Sequence, residues 1–110
     1  MQANVLTYDA GRIAEAQGSF RAAAASYVAA TRQGDERGLS RLIEMTRDPS
    51  CPARSAAAVA LAKVHDERSV RALKELRRAR FADERKKSRR HPACDSRRVA
   101  RDALKRARKV

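Results

Sequence analysis

The sequence predicts an all-α protein, a short right-handed α-solenoid of about six helices in three antiparallel hairpins. Three observations lead there. Apolar residues recur at helical, not strand, spacing along most of the chain. Breakers are sparse, with prolines only at 49, 52 and 92 and few β-branched residues. A faint internal repeat joins two parts of the chain. Pro49-Ser50-Cys51-Pro52-Ala53-Arg54, followed by Ala57, Ala60 and Leu61, returns as Pro92-Ala93-Cys94-Asp95-Ser96-Arg97, followed by Ala100, Ala103 and Leu104. Ahead of them Leu39, Leu42 and Met45 return as Val70, Leu73 and Leu76. Repeats of this size mark helix pairs that bury their apolar faces against their neighbours. A chain of 110 residues makes one small domain. Its hydrophobic content of 43% is largely alanine and its aromatic content only 4%, so the core must be thin and closely packed, without a deep substrate cavity.

The first helix is expected over about 3–17, with Val5, Leu6, Ala10, Ile13 and Ala14 inward, and Gly18 stops it. Ser19 can cap a second helix, about 20–33, whose stripe is Phe20, Ala23, Ala24, Tyr27 and Ala30. So short a turn forces the two to lie antiparallel. Asp35 can cap a third helix, about 36–47, with Leu39, Leu42, Ile43 and Met45 inward; Gly38 within it is a weak spot of about 1 kcal/mol against alanine. Pro52 fits the first turn of a fourth helix, about 53–64, with Ala53, Ala56, Ala57, Ala60, Leu61 and Val64 on one face. Asp66 starts a fifth, about 67–81, with Val70, Leu73 and Leu76 as its core row. Residues 82–92 lose all apolar periodicity and read as an exposed, mobile basic loop. A sixth helix spans about 93–109, capped by Asp95 or Ser96. Val99, Ala100, Ala103, Leu104 and Ala107 face inward there, opposite a basic face.

The net charge is +13, and its distribution is informative. Residues 1–50 hold six basic and six acidic residues; residues 51–110 hold twenty and seven. Compositional drift would enrich both halves, so the asymmetry points to a polyanionic partner: nucleic acid, an acidic protein surface or an anionic membrane. No cationic start followed by an apolar core marks a signal peptide, and no apolar stretch has the length of a membrane span. A cytoplasmic protein is expected, with both cysteines reduced.

Two family resemblances rest on these residues. Gly11, Gly18, Phe20, Ala23, Tyr27 and Ala30 stand at the spacing of a tetratricopeptide repeat, so residues 4–35 resemble one such unit, a hairpin over 4–34. The large aromatic usual early in its first helix is absent, with Thr7 near that place. The run from Asp48 through Arg54 to Leu73 resembles a HEAT repeat of the short bacterial, PBS-lyase type. Asp48 and Arg54 match the family's turn aspartate and helix-opening arginine, which in that family help tie repeats together. Residues 35–65 and 66–110 then resemble two such repeats. The second copy is offset by 31 residues in its first helix and 43 in its second, and the 12-residue difference is an insertion at the basic loop 82–92. The resemblance implies a scaffold that binds proteins or nucleic acid, and no chemistry. Some HEAT-like solenoids hold duplex DNA and excise damaged bases, but that needs a carboxylate among aromatics around an extruded base, and the aromatics here are too few.

The leading expectation is a non-enzymatic binding or adaptor module that grips nucleic-acid phosphates; the alternative is a scaffold for an acidic protein. The candidate contacts are Arg71, Lys74 and Arg78 on the fifth helix, Arg85, Lys86, Lys87, Arg89 and Arg90 on the loop, and Arg97, Arg98, Arg101, Lys105 and Arg108 on the last helix. Tyr8, Phe20, Tyr27 and Phe81 read as structural, so no stacking platform for bases is expected and binding would be mostly sequence-neutral. The bland reading of the same cations is a solvated face. Cys51 and Cys94 stand near two helix starts, where a thiol becomes more reactive. With His65 and His91 they give no ordinary zinc spacing, and they read as small apolar residues kept by duplication. A disulfide between such equivalent positions is open to an oxidising medium and disfavoured in a cell. No nucleophile, glycine-rich phosphate loop, metal, cofactor or small-molecule site is expected. The last helix lacks the bulky anchors of a membrane-surface helix. So short an array leaves a terminal face open to homodimerisation. A nucleic-acid binder should keep the loop and the last helix on one surface, a protein adaptor should expose an apolar groove among the first four helices, and an enzyme should show converging polar groups.

Overall fold

The computed structural model describes residues 3–84 and 94–107, with side chains from residue 7 onward. Its elements are α1 (Ala3–Ala16), α2 (Phe20–Arg32), α3 (Glu36–Met45), α4 (Cys51–Leu61), α5 (Glu67–Arg78), a 3-10 turn (Ala82–Glu84) and α6 (Ser96–Ala107). No strand occurs among the described residues, so the protein is all-α, as its composition predicts. The molecule measures 48 × 32 × 17 Å, and its thin dimension is that of two packed helices. Alanine explains this thinness, since small side chains let helix axes approach.

Each helix packs on its successor in α1–α2, α2–α3, α3–α4 and α5–α6, while α2, α4 and α6 also pack in series. The fourth helix is therefore the centre. Ala53, Arg54, Ala57, Ala58 and Leu61 are all fully buried. The apolar rows expected on α3 and α5 are buried at Leu39, Leu42, Met45, Leu73 and Leu76, with Val70 half-buried.

Asp35 and Asp66 cap their helices alike. Each carboxylate accepts the backbone N–H two residues on, from Arg37 at 3.1 Å and from Arg68 at 2.8 Å, and forks the same arginine's guanidinium. These hydrogen bonds hold both aspartates below the usual carboxylate range. Ser19 sits at the N-cap of α2, but its side chain makes no capping hydrogen bond. Gly18 reverses the chain after α1 at φ +78°, a conformation open to glycine.

Four expectations are corrected. The inward face of α1 is not the one containing Ile13, which is 60% exposed. Ala10, also expected inward, is exposed, whereas Ala14 is half-buried as expected and is joined on the inward face by Tyr8, Gly11 and Glu15; the expected Val5 and Leu6 side chains lie outside the described residues. Glu15 is admitted because its carboxylate accepts hydrogen bonds from the Tyr27 hydroxyl at 2.8 Å and from Arg41 on α3. The Arg41 hydrogen bond lowers the Glu15 pKa against the opposing effect of burial, whereas burial first and Glu15 second raise that of Tyr27. The second correction concerns helix ends. The fourth helix begins at Cys51 and ends at Leu61, α5 stops at Arg78 so that Phe81 lies beyond it, and α6 begins at Ser96. The third concerns residues 82–84, a 3-10 turn anchored to the core and no part of an exposed basic loop.

The last correction is Gly38. It is buried where α3 crosses α2, and a Cβ there would run into the Tyr27 carbonyl and lie 2.7 Å from the Thr31 Oγ1. Glycine is what the crossing requires, not a weakness of the helix. Gly38→Ala is expected to destabilise by about 1–3 kcal/mol through overpacking, where helix propensity alone predicts a gain of about 1 kcal/mol. Urea unfolding decides the sign, and a stabilised variant would mean that the backbones do not meet there.

Candidate functional site

The chemically densest point is Arg54, whose side chain is fully buried. Burying a guanidinium is costly unless its hydrogen-bonding positions and its charge are met. Its Nη1 donates to the Asp48 carbonyl oxygen at 2.8 Å, and its Nε donates to Ser96 Oγ at 3.2 Å. Its Nη2 donates to Asp83 Oδ1 and to Glu84 Oε2, each at 2.7 Å. The guanidinium carbon lies 3.6 Å from the centre of the Phe81 ring.

The two carboxylates do a second job. Asp83 Oδ2 accepts the N–H of Cys51 at 2.8 Å, at the first residue of α4. Glu84 Oε1 accepts the N–H of Ser96 at 2.6 Å, at the first residue of α6. Each thus puts negative charge on a helix N-terminus while neutralising Arg54. The Arg54 hydrogen bond holds the Asp83 carboxyl below its usual range. Asp48 and Arg54 therefore do meet, but through the Asp48 backbone; the Asp48 carboxylate accepts from Ser50 N at 2.9 Å.

Cys51 and Cys94 form a disulfide with Cα atoms 6.0 Å apart. This overturns the expectation of two reduced thiols. The reason is spatial: packing α6 on α4 sets their first turns side by side, at a separation a disulfide spans without backbone movement. The bond joins the two positions that the 43-residue offset makes equivalent. Neither sulfur is free to act as a thiolate or as a zinc ligand. His65 is exposed in the turn between α4 and α5, and His91 lies outside the described residues. Among the described residues no group of three or more His, Cys, Asp or Glu is placed to hold a metal.

The candidate cations are distributed over two helices. Arg71, Lys74 and Arg78 on α5, and Arg98, Arg101 and Lys105 on α6, are exposed. None joins the ion pairs found among the described residues. Arg97 is exposed and donates from Nε to the Arg77 carbonyl at 3.1 Å. The expected contacts Arg85, Lys86, Lys87, Arg89, Arg90 and Arg108 lie outside the described residues. The two helices bury Ser69, Ala72, Leu73 and Leu76, and Ser96, Ala100, Ala103 and Leu104, respectively. At 100° per residue, the exposed cations of each helix lie opposite its buried row, so the two sets point away from the shared interface.

A groove of about 1090 Å³ opens between α2 and α4 and reaches the start of α6. Phe20, Ala24, Val28, Ala56, Val59 and Val99 give it an apolar lining. Among the described residues Arg21, Arg32 and Lys63 are its charged lining, with no carboxylate. Of the residues expected to be structural, Gly11 lies buried against the Tyr27 ring, Ala23 and Tyr27 are fully buried, and Phe20 is half-buried in the groove.

Nothing matches this chain among protein-family models, curated proteins or solved structures. No helix among the described residues is long and apolar enough to cross a membrane.

Sequence reasoning missed three things here. It left Asp83 and Glu84 without a role, although the Asp-Glu-Arg triplet at 83–85 repeats those at 35–37 and 66–68 and signalled a third helix-capping pair. It expected both cysteines reduced and left their disulfide to an oxidising medium, although their equivalence in the repeat was visible. It named an apolar groove among the first four helices as the mark of a protein adaptor but did not place it between α2 and α4, because alanine reads as core on every face.

Proposed function

We propose that this chain is a non-enzymatic binding module whose cationic C-terminal half engages nucleic-acid phosphates. One observation carries the reading. The carboxylates that form ion pairs are engaged with Arg37, Arg41, Arg47, Arg54 and Arg68, while Arg71, Lys74, Arg78, Arg98, Arg101 and Lys105 stand exposed and join none of the ion pairs among the described residues. Exposed arginines and lysines of this kind bind phosphate oxygens by charge and by bidentate hydrogen bonds, releasing counterions. Aromatic side chains that could stack bases are engaged inside the fold: Tyr27 is buried, Tyr8 packs on Tyr27 and Phe81 covers Arg54. Recognition is therefore by backbone charge with little sequence preference. A short right-handed solenoid, the tetratricopeptide and HEAT resemblances and a cytoplasmic setting belong to the same reading. An acidic protein is the alternative ligand for the same cations.

The test is binding of labelled duplex and single-stranded nucleic acid by anisotropy across a salt series. Tight binding at about 0.15 M salt is expected. Substituting Arg98, Arg101 and Lys105 together by alanine should lower the logarithmic salt slope by about 2.7 on duplex, three phosphate contacts at about 0.9 each. Because the cations of α5 and α6 point away from their shared interface, substituting Arg71, Lys74 and Arg78 should change the slope far less if α6 is the contacting helix. Binding that vanishes at that salt, or a slope indifferent to both triple variants, overturns the nucleic-acid reading in favour of an acidic protein.

A further inference from the structure

The groove between α2 and α4 holds none of the cations invoked for phosphate binding and has a different character. It extends along α2 from Arg21 to Arg32, eleven helical rises, or about 17 Å. Its floor is mostly alanine, with Val28 and Val59 as larger side chains. Val59 is 41% exposed, one of two large hydrophobic side chains on the surface among the described residues. A floor of small residues lets a second backbone come close but fills little space itself, so the occupant must bring the bulky aliphatic groups.

Charge decides what that occupant is. Arg21 stands at one end, and Arg32 and Lys63 stand at the other, where Arg32 Nη2 donates to the Lys63 carbonyl at 3.4 Å. A second copy of this chain, at +13, would bring like charge to like. A small ligand would need polar groups converging on it, and the uncharged polar side chains here are Ser19 and Ser55. A nucleic acid would meet an apolar floor with one aromatic ring, Phe20. We infer that the groove docks an acidic amphipathic helix of a partner protein, about three turns long. Its aliphatic side chains at i, i+3 or i+4, and i+7 fill the floor, and carboxylates at its two ends face Arg21 and the Arg32–Lys63 pair. This does not rest on the phosphate reading, and if both hold the chain joins a protein to a nucleic acid.

The probe is a labelled 16-residue helical peptide with leucine at those positions and glutamate elsewhere. Two companions carry lysine for glutamate, or serine for leucine. The full chain should bind the acidic peptide and bind either companion at least tenfold more weakly. Val59→Glu should weaken binding at least tenfold with an unchanged melting curve, since the side chain is already exposed. Ile13→Glu, at the other exposed hydrophobic position, should leave binding unchanged. Arg21→Glu with Lys63→Glu should reverse the preference toward the lysine peptide. The inference is overturned by no binding of the acidic peptide at 100 μM, by equal binding of the leucine and serine peptides, or by a Val59→Glu variant that binds as well as wild type. A chain that dimerises until Val59 is changed would name a second copy as occupant, and duplex DNA displaced only through Val59 would name nucleic acid; either result also overturns it.

Discussion

Arg54→Leu is expected to destabilise the protein by about 3–5 kcal/mol, as removal of one partner from a buried ion pair does. Set against the 5–15 kcal/mol typical of a domain this size, the variant would be partly or wholly unfolded at 37 °C. The loss has identifiable parts. Asp83 and Glu84 lose their countercharge, the Asp48 carbonyl loses a donor, and Phe81 loses the guanidinium it covers. Arg54→Lys should recover little, because one ammonium cannot meet an oxygen of Asp48, Ser96, Asp83 and Glu84 at once. Urea unfolding measures both variants. A loss below about 1 kcal/mol would place Arg54 at the surface in solution, since surface substitutions cost no more than that.

The same site gives a pH dependence of known sign. The Asp83 pKa is depressed in the folded state by the Arg54 hydrogen bond. A carboxylate shifted that way stabilises the fold above its unfolded pKa and loses that contribution as pH falls through the folded value. Wild-type stability should therefore decline on acidification below about pH 4, and Arg54→Leu should show a shallower decline.

Opening the Cys51–Cys94 disulfide is the second large effect. The bond closes a loop of 43 residues, for which restriction of the unfolded chain is worth about 4 kcal/mol at 25 °C. Unfolding midpoints measured with and without reductant, and on a Cys51→Ala, Cys94→Ala variant, should both show a loss of about 2–4 kcal/mol. The oxidised protein should contain no thiol reactive to maleimide after denaturation. Two reactive thiols, or a midpoint indifferent to reductant, would mean that the sulfurs are not joined.

Local signals were legible in the sequence, and spatial ones were not. Asp35 and Asp66 were readable as caps because a cap acts within three residues. Leu39, Leu42, Met45, Leu73 and Leu76 were readable as core because leucine among charges leaves one interpretation. Alanine-rich helices defeat the same logic. On α1 the periodicity fits more than one face, and a paired glutamate, Glu15, is half-buried on the inward face where Ile13 was expected. Gly38 read as a helix defect because propensity does not know of α2 behind it. Arg54 was noticed for its place in a repeat, but its carboxylates lie 29 and 30 residues further along the chain, beyond any local pattern. An apolar groove among the first four helices was open from the sequence, but its place was not, since its alanines look the same whether they meet a neighbour or solvent.

The cluster at Arg54 has a consequence for how the molecule comes apart. Helix pairs that touch only their neighbours can fray from one end while the rest stays folded. Here Asp83 and Glu84, between α5 and α6, grip the arginine of α4 and the first amides of α4 and α6, and a covalent bond joins the starts of those two helices. The last pair cannot peel away without stripping a charge from the centre of the molecule. A C-terminal helix pair that would otherwise unravel piecemeal is committed to melting with the core, in one cooperative step.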